Sequence, residues 1–389
     1  MLNSPDLPIP MRALLAGARR KQTGTIELIK SLVRLESPTG EKAAVDACVR
    51  LAAEWARTLG GRVKLHRQRS FGDLLEARFG PKSKTGTVGR AMLLGHLDTV
   101  WPMGTLKSMP CKVKDGRLCG PGTLDMKAGV AMAFAAVEML TEANLLKREI
   151  VLLLNTDEEV GSPVSRPLTE RIAAECGAVY VLEPAQGLAY KTARKGPGNW
   201  RMEIKGLAAH AGVDFEKGAN AILELARAVQ TVSGWTDLKR GLTVNVGVVG
   251  GGSKRNVIPA EAWAEVDVRI ARKADGPRIA RRFAGLKAVD KRCALTVTGG
   301  IDRPPMERTR GTVKLYRTAK ALAAELGIAL EEAATGGASD GNLTSALGIS
   351  TLDGMGAVGE GAHARHERIE LEHLAPRTAL LAGMLARED

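Results

Sequence analysis

An apolar run that ends LLGHLDTVWP, residues 93–102, closes on His96 and Asp98, two positions apart. Side chains two apart in an extended strand point to the same side of the chain. A carboxylate placed there can hold one imidazole nitrogen and leave the other for a metal ion. A histidine hydrogen-bonded only to backbone fits the same pattern, so the chemistry depends on partners elsewhere. Four further polar clusters offer them. GPGTLDMKAG (120–129) sets Asp125 just ahead of a long helical pattern, where, taken alone, it reads as an N-cap. NTDEEVGS (155–162) places Asp157, Glu158 and Glu159 directly after a buried strand. Three adjacent acids repel one another there, and an ordinary solvated turn has little use for them. Glu183 follows a strand in VLEPA and alone reads as a surface carboxylate. GEGAHARHERIE (359–370) brings His363 and His366 in a glycine-rich loop, whereas His66 and His373 fall on ordinary strand and helix faces. Two or three histidines with several carboxylates form a donor set for zinc, or for two divalent ions bridged by a carboxylate.

The elements between these clusters say whether they can meet. A helical pattern over 41–59 stops at Gly60-Gly61. Strand-like runs follow at 62–68, 73–79 and 90–95, then a long helix at about 126–141 and buried strands at 149–155 and 177–184. Strands alternating with helices of this length predict an α/β sheet with helices on both faces. In such sheets functional groups collect beyond the carboxyl ends of the strands, which is where these clusters fall. From about Tyr190 the order becomes strand, helix, strand, strand, helix, strand, the βαββαβ pattern of a ferredoxin-like domain. The earlier alternation resumes after Ile301. The expected organisation is a catalytic domain over 1–189 and 302–389, interrupted by an inserted domain over 190–301.

Composition narrows the function classes. With 389 residues, 44% hydrophobic and 25% charged, the chain has the make-up of a globular protein of two domains. Its longest apolar runs are too short to span a membrane. The N-terminal stretch has no Lys or Arg before Arg12 and lacks the layout of a signal peptide. Five cysteines without CxxC spacing (Cys48, Cys111, Cys119, Cys176 and Cys293) point to free thiols in a reducing cytoplasm. Of the net charge of +13, ten units lie between Tyr190 and Ile301, where 20 Lys and Arg face 10 Asp and Glu. Aromatics make up only 3% of the chain, few for stacking on bases, and no nucleic-acid-binding signature is present. The basic segment reads instead as a lid that draws in small anionic substrates. GMGAVG (354–359) does not open a βαβ unit, and GGGSK (250–254) lacks phosphate-loop spacing, which excludes a dinucleotide dehydrogenase and an NTPase.

GHLDTV, GPGTLDMKAG, NTDEEVGS, VLEPA, GLAAHAGVDFEKGANAI, RNVIPAEAWAEVDVRI, GGASDGN and GAHARHE occur in that order, ending at residue 367. Together they resemble the dizinc metallopeptidase and deacylase family of glutamate carboxypeptidase, acetylornithine deacetylase, succinyl-diaminopimelate desuccinylase and the aminoacylases. HLDTVWPMG and NTDEEVGSPVSR look closest to the glutamate carboxypeptidase branch. The resemblance implies a zinc-exopeptidase-like α/β catalytic domain with a mixed sheet, and a ferredoxin-like insert used as lid and dimerisation domain. It implies two zinc ions per subunit, with cobalt or manganese able to substitute. His96 and Glu183 would ligate one ion, Glu159 and His363 the other, and Asp125 would bridge them. Asp98 would orient His96, and Glu158 would be the general base. His210 would reach the active site of a partner subunit, and Asn256, Arg269 and Arg303 would lie near the substrate carboxylate. The Gly-Ala before His363 matches the family pattern, so His363 is preferred over His366. The implied activity is hydrolysis of a small amide or peptide to release an amino acid with a free carboxylate, by a cytoplasmic homodimer. An N-acyl amino-acid deacylase on the same metals is the alternative. No nucleic acid or membrane partner is expected.

Overall fold

Along Ala91-Met92-Leu93-Leu94 successive side chains leave opposite faces of a strand, and both faces are buried. Ala91 and Leu93 join one apolar core with Leu152, Leu154 and Tyr180. Met92 and Leu94 join a second with Val151, Leu153, Val179 and Val181. A sheet that is apolar on both faces needs helices on both, and a computed structural model shows them. It describes residues 9–82, 86–87 and 89–387. The first eight residues, which open the stretch read above for a signal peptide, lie outside the described residues.

The central sheet has six strands in the order Arg62–His66, Leu74–Phe79, Glu149–Asn155, Arg90–His96, Ala178–Val181 and Ser350–Leu352. The last four run parallel and the first two are antiparallel additions, so the sheet is mixed. Helices Met11–Arg34, Lys42–Thr58, Ala128–Glu142 and Leu374–Leu385 bury residues in the first core. Arg166–Ala174 does so in the second through Leu168, Ile172 and Ala173.

One feature differs from the sequence reading. The 24-residue helix Met11–Arg34 was not expected, because the polar stretch around Arg19–Thr25 interrupts its apolar spacing. Leu28, Ile29, Leu32 and Val33 nevertheless bury its second half. At its end, buried Lys127 donates to the carbonyls of Leu32 (3.0 Å) and Leu35 (2.9 Å), taking up acceptors that a helix end leaves unpaired. Asp125, which reads as an N-cap only when taken alone, is not one. The segment Thr123–Lys127 carries non-helical dihedrals at Asp125 and Met126, and the helix proper begins at Ala128 with no side-chain cap. At its second residue, a Cβ on Gly129 would lie 2.1 Å from the Leu182 carbonyl, so only glycine lets this helix approach the strand end that leads to Glu183.

The chain divides into two compact units, Met1–Ala193 with Arg308–Ala334 and Ser339–Asp389, and Arg194–Glu307 with Thr335–Ala338. The division falls later than 190 and 301 because strand Tyr190–Arg194 pairs with Glu332–Thr335, which keeps 190–193 with the first unit. The second unit runs Gly196–Lys205, Ala221–Ser233, Thr243–Gly251, Glu261–Ile270, Asp275–Ala284 and Ala294–Ile301. Its four strands are antiparallel, with the third strand next to the first and the second and fourth at the edges, the ferredoxin-like arrangement. Trp200 stacks on Phe283 at 4.5 Å in its core. Among the described residues no helix is long and apolar enough to cross a membrane.

Candidate metal centre

Three neighbouring parallel strands of the first unit end at one place. His96 is the last residue of its strand and lies in register with Asn155 at the end of the next. The chain then turns through Glu158–Val160, which carries Glu158 and Glu159. On the other side of His96, the strand ending at Val181 delivers Glu183 two residues later. Parallel pairing therefore gathers all four side chains at the carboxyl edge of the sheet. His96 Nε2 lies 3.2 Å from Asp125 Oδ1 and 3.6 Å from Glu183 Oε1. His363 Nε2 lies 3.3 Å from Asp125 Oδ2 and 3.2 Å from Glu159 Oε2. Asp125 thus turns one carboxylate oxygen to each imidazole. Among the described residues, His96, Asp125 and Glu159 form one group with ligand atoms within 4.8 Å of one another, and His96, Glu158 and Glu183 form another.

Asp98 meets His96 with two groups. The nearer partner of His96 Nδ1 is the Asp98 backbone carbonyl at 2.9 Å, whereas the Asp98 carboxylate stands 3.5 Å away. The carbonyl accepts the Nδ1 proton, which would leave Nε2 to a cation wherever one displaces its proton. The Asp98 carboxylate instead accepts from Thr39 Oγ1 (2.9 Å) and from the backbone N–H groups of Glu158 (3.3 Å) and Glu159 (3.2 Å). One residue orients the histidine through its backbone and fixes the acidic turn through its side chain.

His363 rather than His366 faces Asp125 and Glu159, and it does so from a left-handed backbone with φ of 60°. Histidine is among the non-glycine types that enter this region most readily. Hydrogen bonds donated to the carboxylates of Asp125 and Glu159 push the His363 imidazole up to about 10. Burial opposes charge on His96, yet Asp125, Asp98 and Glu183 hold its pKa well above the ordinary value. Burial would raise the Asp125 carboxyl, but hydrogen bonds from His363 and His96 keep it well below the usual range. Glu159 is raised, burial outweighing the help of His363. Its Oε1 is buried without a hydrogen-bond partner. Such an orphaned carboxylate oxygen, among carboxylates that outnumber imidazoles two to one, fits a site built for divalent cations.

The second unit carries the remaining sequence candidates and places them in two groups. His210 and Asn256 come together, since the Ala211 N–H donates to the Asn256 carbonyl (3.0 Å) and His210 bridges Val257. The exposed His210 ring accepts from the N–H groups of Gly212 (3.1 Å) and Val213 (3.2 Å) at Nδ1, which leaves Nε2 to carry the proton outward. Arg269 and Arg303 lie at the other end of strand Gly196–Lys205. Arg269 pairs with Pro197, and the Arg303 N–H donates to the Pro197 carbonyl (3.4 Å). The Arg269 guanidinium also clasps Asp267 at 2.8–3.1 Å. Sequence reading assigned no role to Thr39 or to buried Glu367; the motif GAHARHE was the only sign of the latter.

A model of the family described as peptidase family M20/M25/M40 matches residues 92–387, a span that contains His96, Asp125, Glu158, Glu159, Glu183 and His363. This chain belongs to peptidase family M20. As an M20 protein it is a hydrolase acting on peptide or amide bonds, consistent with the metal-type donor cluster at its sheet edge. It is 29% identical over 381 residues to carboxypeptidase G2 of Pseudomonas sp. (strain RS-16), an alignment covering 96% of this chain and 91% of that protein. Among solved structures, its fold matches aminopeptidase PepT from Bacillus cereus with a TM-score of 0.81 at 23% identity, over 94% of this chain and 98% of that one. It also matches the Bacillus subtilis YXEP protein, described as a dinuclear metal-binding peptidase from M20 family, with a TM-score of 0.69 at 16% identity, over 95% and 98%.

Proposed function

We propose that this M20 protein is a dinuclear zinc hydrolase of carboxypeptidase type, releasing an amino acid that bears a free carboxylate. The observation that carries the reading is the Asp125 carboxylate divided between His96 and His363, each imidazole with a further carboxylate beside it. In this reading His96, Asp125 and Glu183 hold one cation, and Asp125, Glu159 and His363 hold the other; cobalt or manganese would suit the same donors. The two-ion count is supported by the dinuclear relative of the same fold, and the leaving group by the name of carboxypeptidase G2. Held by these residues, divalent cations would supply Lewis-acid polarisation of a carbonyl and a lowered pKa for a water.

Glu158 then takes the proton of the attacking water and returns it to the departing amine. Its place beside Glu159, on a turn fixed by Asp98, keeps one acid for metal and one for protons. His210, with Nε2 as donor, stabilises negative charge developing on the carbonyl oxygen. Strand Gly196–Lys205 separates the His210–Asn256 pair from Arg269 and Arg303 by ten residues, roughly 30 Å at the rise of a strand. One small substrate does not bridge that span within one copy. A homodimer in which one copy supplies His210 and the other the substrate arginines meets this requirement, and we assign the second unit to lid and dimerisation. The free cysteines support a cytoplasmic location.

Metal analysis of the purified, metal-replete protein tests the core of the reading, with two divalent ions per chain expected and at least one lost in His363→Ala. Absence of any divalent ion, or unchanged content in His363→Ala, overturns it. The substrate half is tested with a panel of acyl-glutamates, dipeptides, N-acyl amino acids and uncharged amides. Glutamate as leaving group is expected to give the highest kcat/KM. Arg269→Ala is expected to raise KM for carboxylate-bearing substrates about tenfold to a hundredfold, the scale of a lost charged hydrogen bond, with metal content unchanged. A preference for uncharged amides overturns the substrate assignment and leaves the metals in place.

A further inference from the structure

Glu367 lies four residues past His363, buried, and its carboxylate accepts four hydrogen bonds. Oε1 takes the N–H groups of Leu124 (2.8 Å) and Asp125 (3.1 Å), and Oε2 takes those of Gly122 (2.9 Å) and the Trp101 indole (2.8 Å). Its own backbone carbonyl accepts from Gly120 (3.4 Å). A carboxylate is acceptor-only with about four lone-pair sites, and here four N–H donors fill them. The donors belong to the non-helical stretch around Asp125, whose amides have no helix to bond to, and to the loop that follows the His96 strand.

We propose that Glu367 is the positioning residue of the site: it holds the backbone on which Asp125 sits, ties that backbone to the loop of His363 and to Trp101, and so sets the bridging carboxylate in place before any cation arrives. This rests on the bridging role of Asp125 proposed above. Glu367 touches neither substrate nor reacting atoms; it acts through Asp125.

Glu367→Gln keeps the shape and turns one acceptor oxygen into a donor, so that two buried N–H groups meet an NH2. Loss of a group that orients a metal ligand costs on the order of 10–100-fold in metal affinity, and that is the fall in zinc affinity expected in chelator competition for the folded variant. Trp101→Phe removes one donor and keeps three, and its effect is expected to be smaller. A wild-type zinc affinity in Glu367→Gln overturns the proposal, and so does a lower melting temperature with zinc affinity unchanged, which is the mark of a merely structural role. Hydrogen exchange on the metal-free wild type gives a test that does not need the variant to fold. Amides of residues 122, 124 and 125 are expected to exchange slowly, and rapid exchange there overturns the proposal. A wild type that binds no zinc defeats the metal reading instead, while the exchange of those amides still decides whether Glu367 holds the loop.

Discussion

Glu158→Gln is expected to lower kcat by ~10²–10⁴, the contribution of general acid–base catalysis, with metal content and substrate affinity close to wild type. Gln keeps the size of the side chain and removes the base. Because one carboxylate is asked to serve both the attack of water and the departure of the amine, the loss should fall at the upper end of that range. The neighbouring Glu159→Gln provides the contrast. Glu159 is almost enclosed, 3.2 Å from His363, and one of its oxygens has no hydrogen-bond partner. Its neutralisation is expected to lose metal together with activity. Steady-state kinetics beside metal analysis separates the two variants, and the reverse pattern would exchange the roles of the adjacent acids.

His210→Ala is expected to reduce kcat by ~10²–10³, the effect of deleting one donor to a developing oxyanion, with metal content unchanged. The stronger test mixes two crippled proteins. If His210 serves the site of the partner in a two-fold dimer, exchange between His210→Ala and Glu158→Gln homodimers creates a mixed dimer with one intact site. That site has its own Glu158 and receives His210 from the Glu158→Gln copy; the other site carries both defects. Full exchange makes half the dimers mixed, and activity should climb to roughly a quarter of wild type. Within a single copy every site would keep one defect and no recovery would appear. A flat activity after verified subunit exchange removes the cross-subunit role of His210.

Much of the site was legible in the sequence because local pattern carries it. The two-faced burial of Ala91–Leu94 and of 149–155 announces interior parallel strands. The polar residues that break these runs stand, by the same token, at the strand ends where a sheet of this kind gathers its chemistry. That pattern makes His96, Glu158, Glu159 and Glu183 candidates, and only the resemblance carried by the ordered motifs gives them roles and adds Asp125 and His363. The βαββαβ order of the second unit was equally local, since each element there is a single periodic run bounded by turns.

What the sequence by itself determined was therefore residue type, period and order along the chain. Tertiary structure decided every question of which distant group meets which. The motif resemblance already sets aside the cap reading of Asp125, but only the fold shows the acceptor for its amide, 242 residues further on in Glu367. His96 was matched to the carboxylate of Asp98, but strand-end geometry brings the carbonyl closer and turns the carboxylate towards the acidic turn. The unit boundary moved past 190 because the strand beginning there finds its partner at 332–335. The parting of His210 from Arg269 follows from the register of one long strand. Periodicity is a property of neighbours in the chain, while these contacts join residues whose spacing in sequence bears no relation to their distance in space, so only the packed fold could decide them.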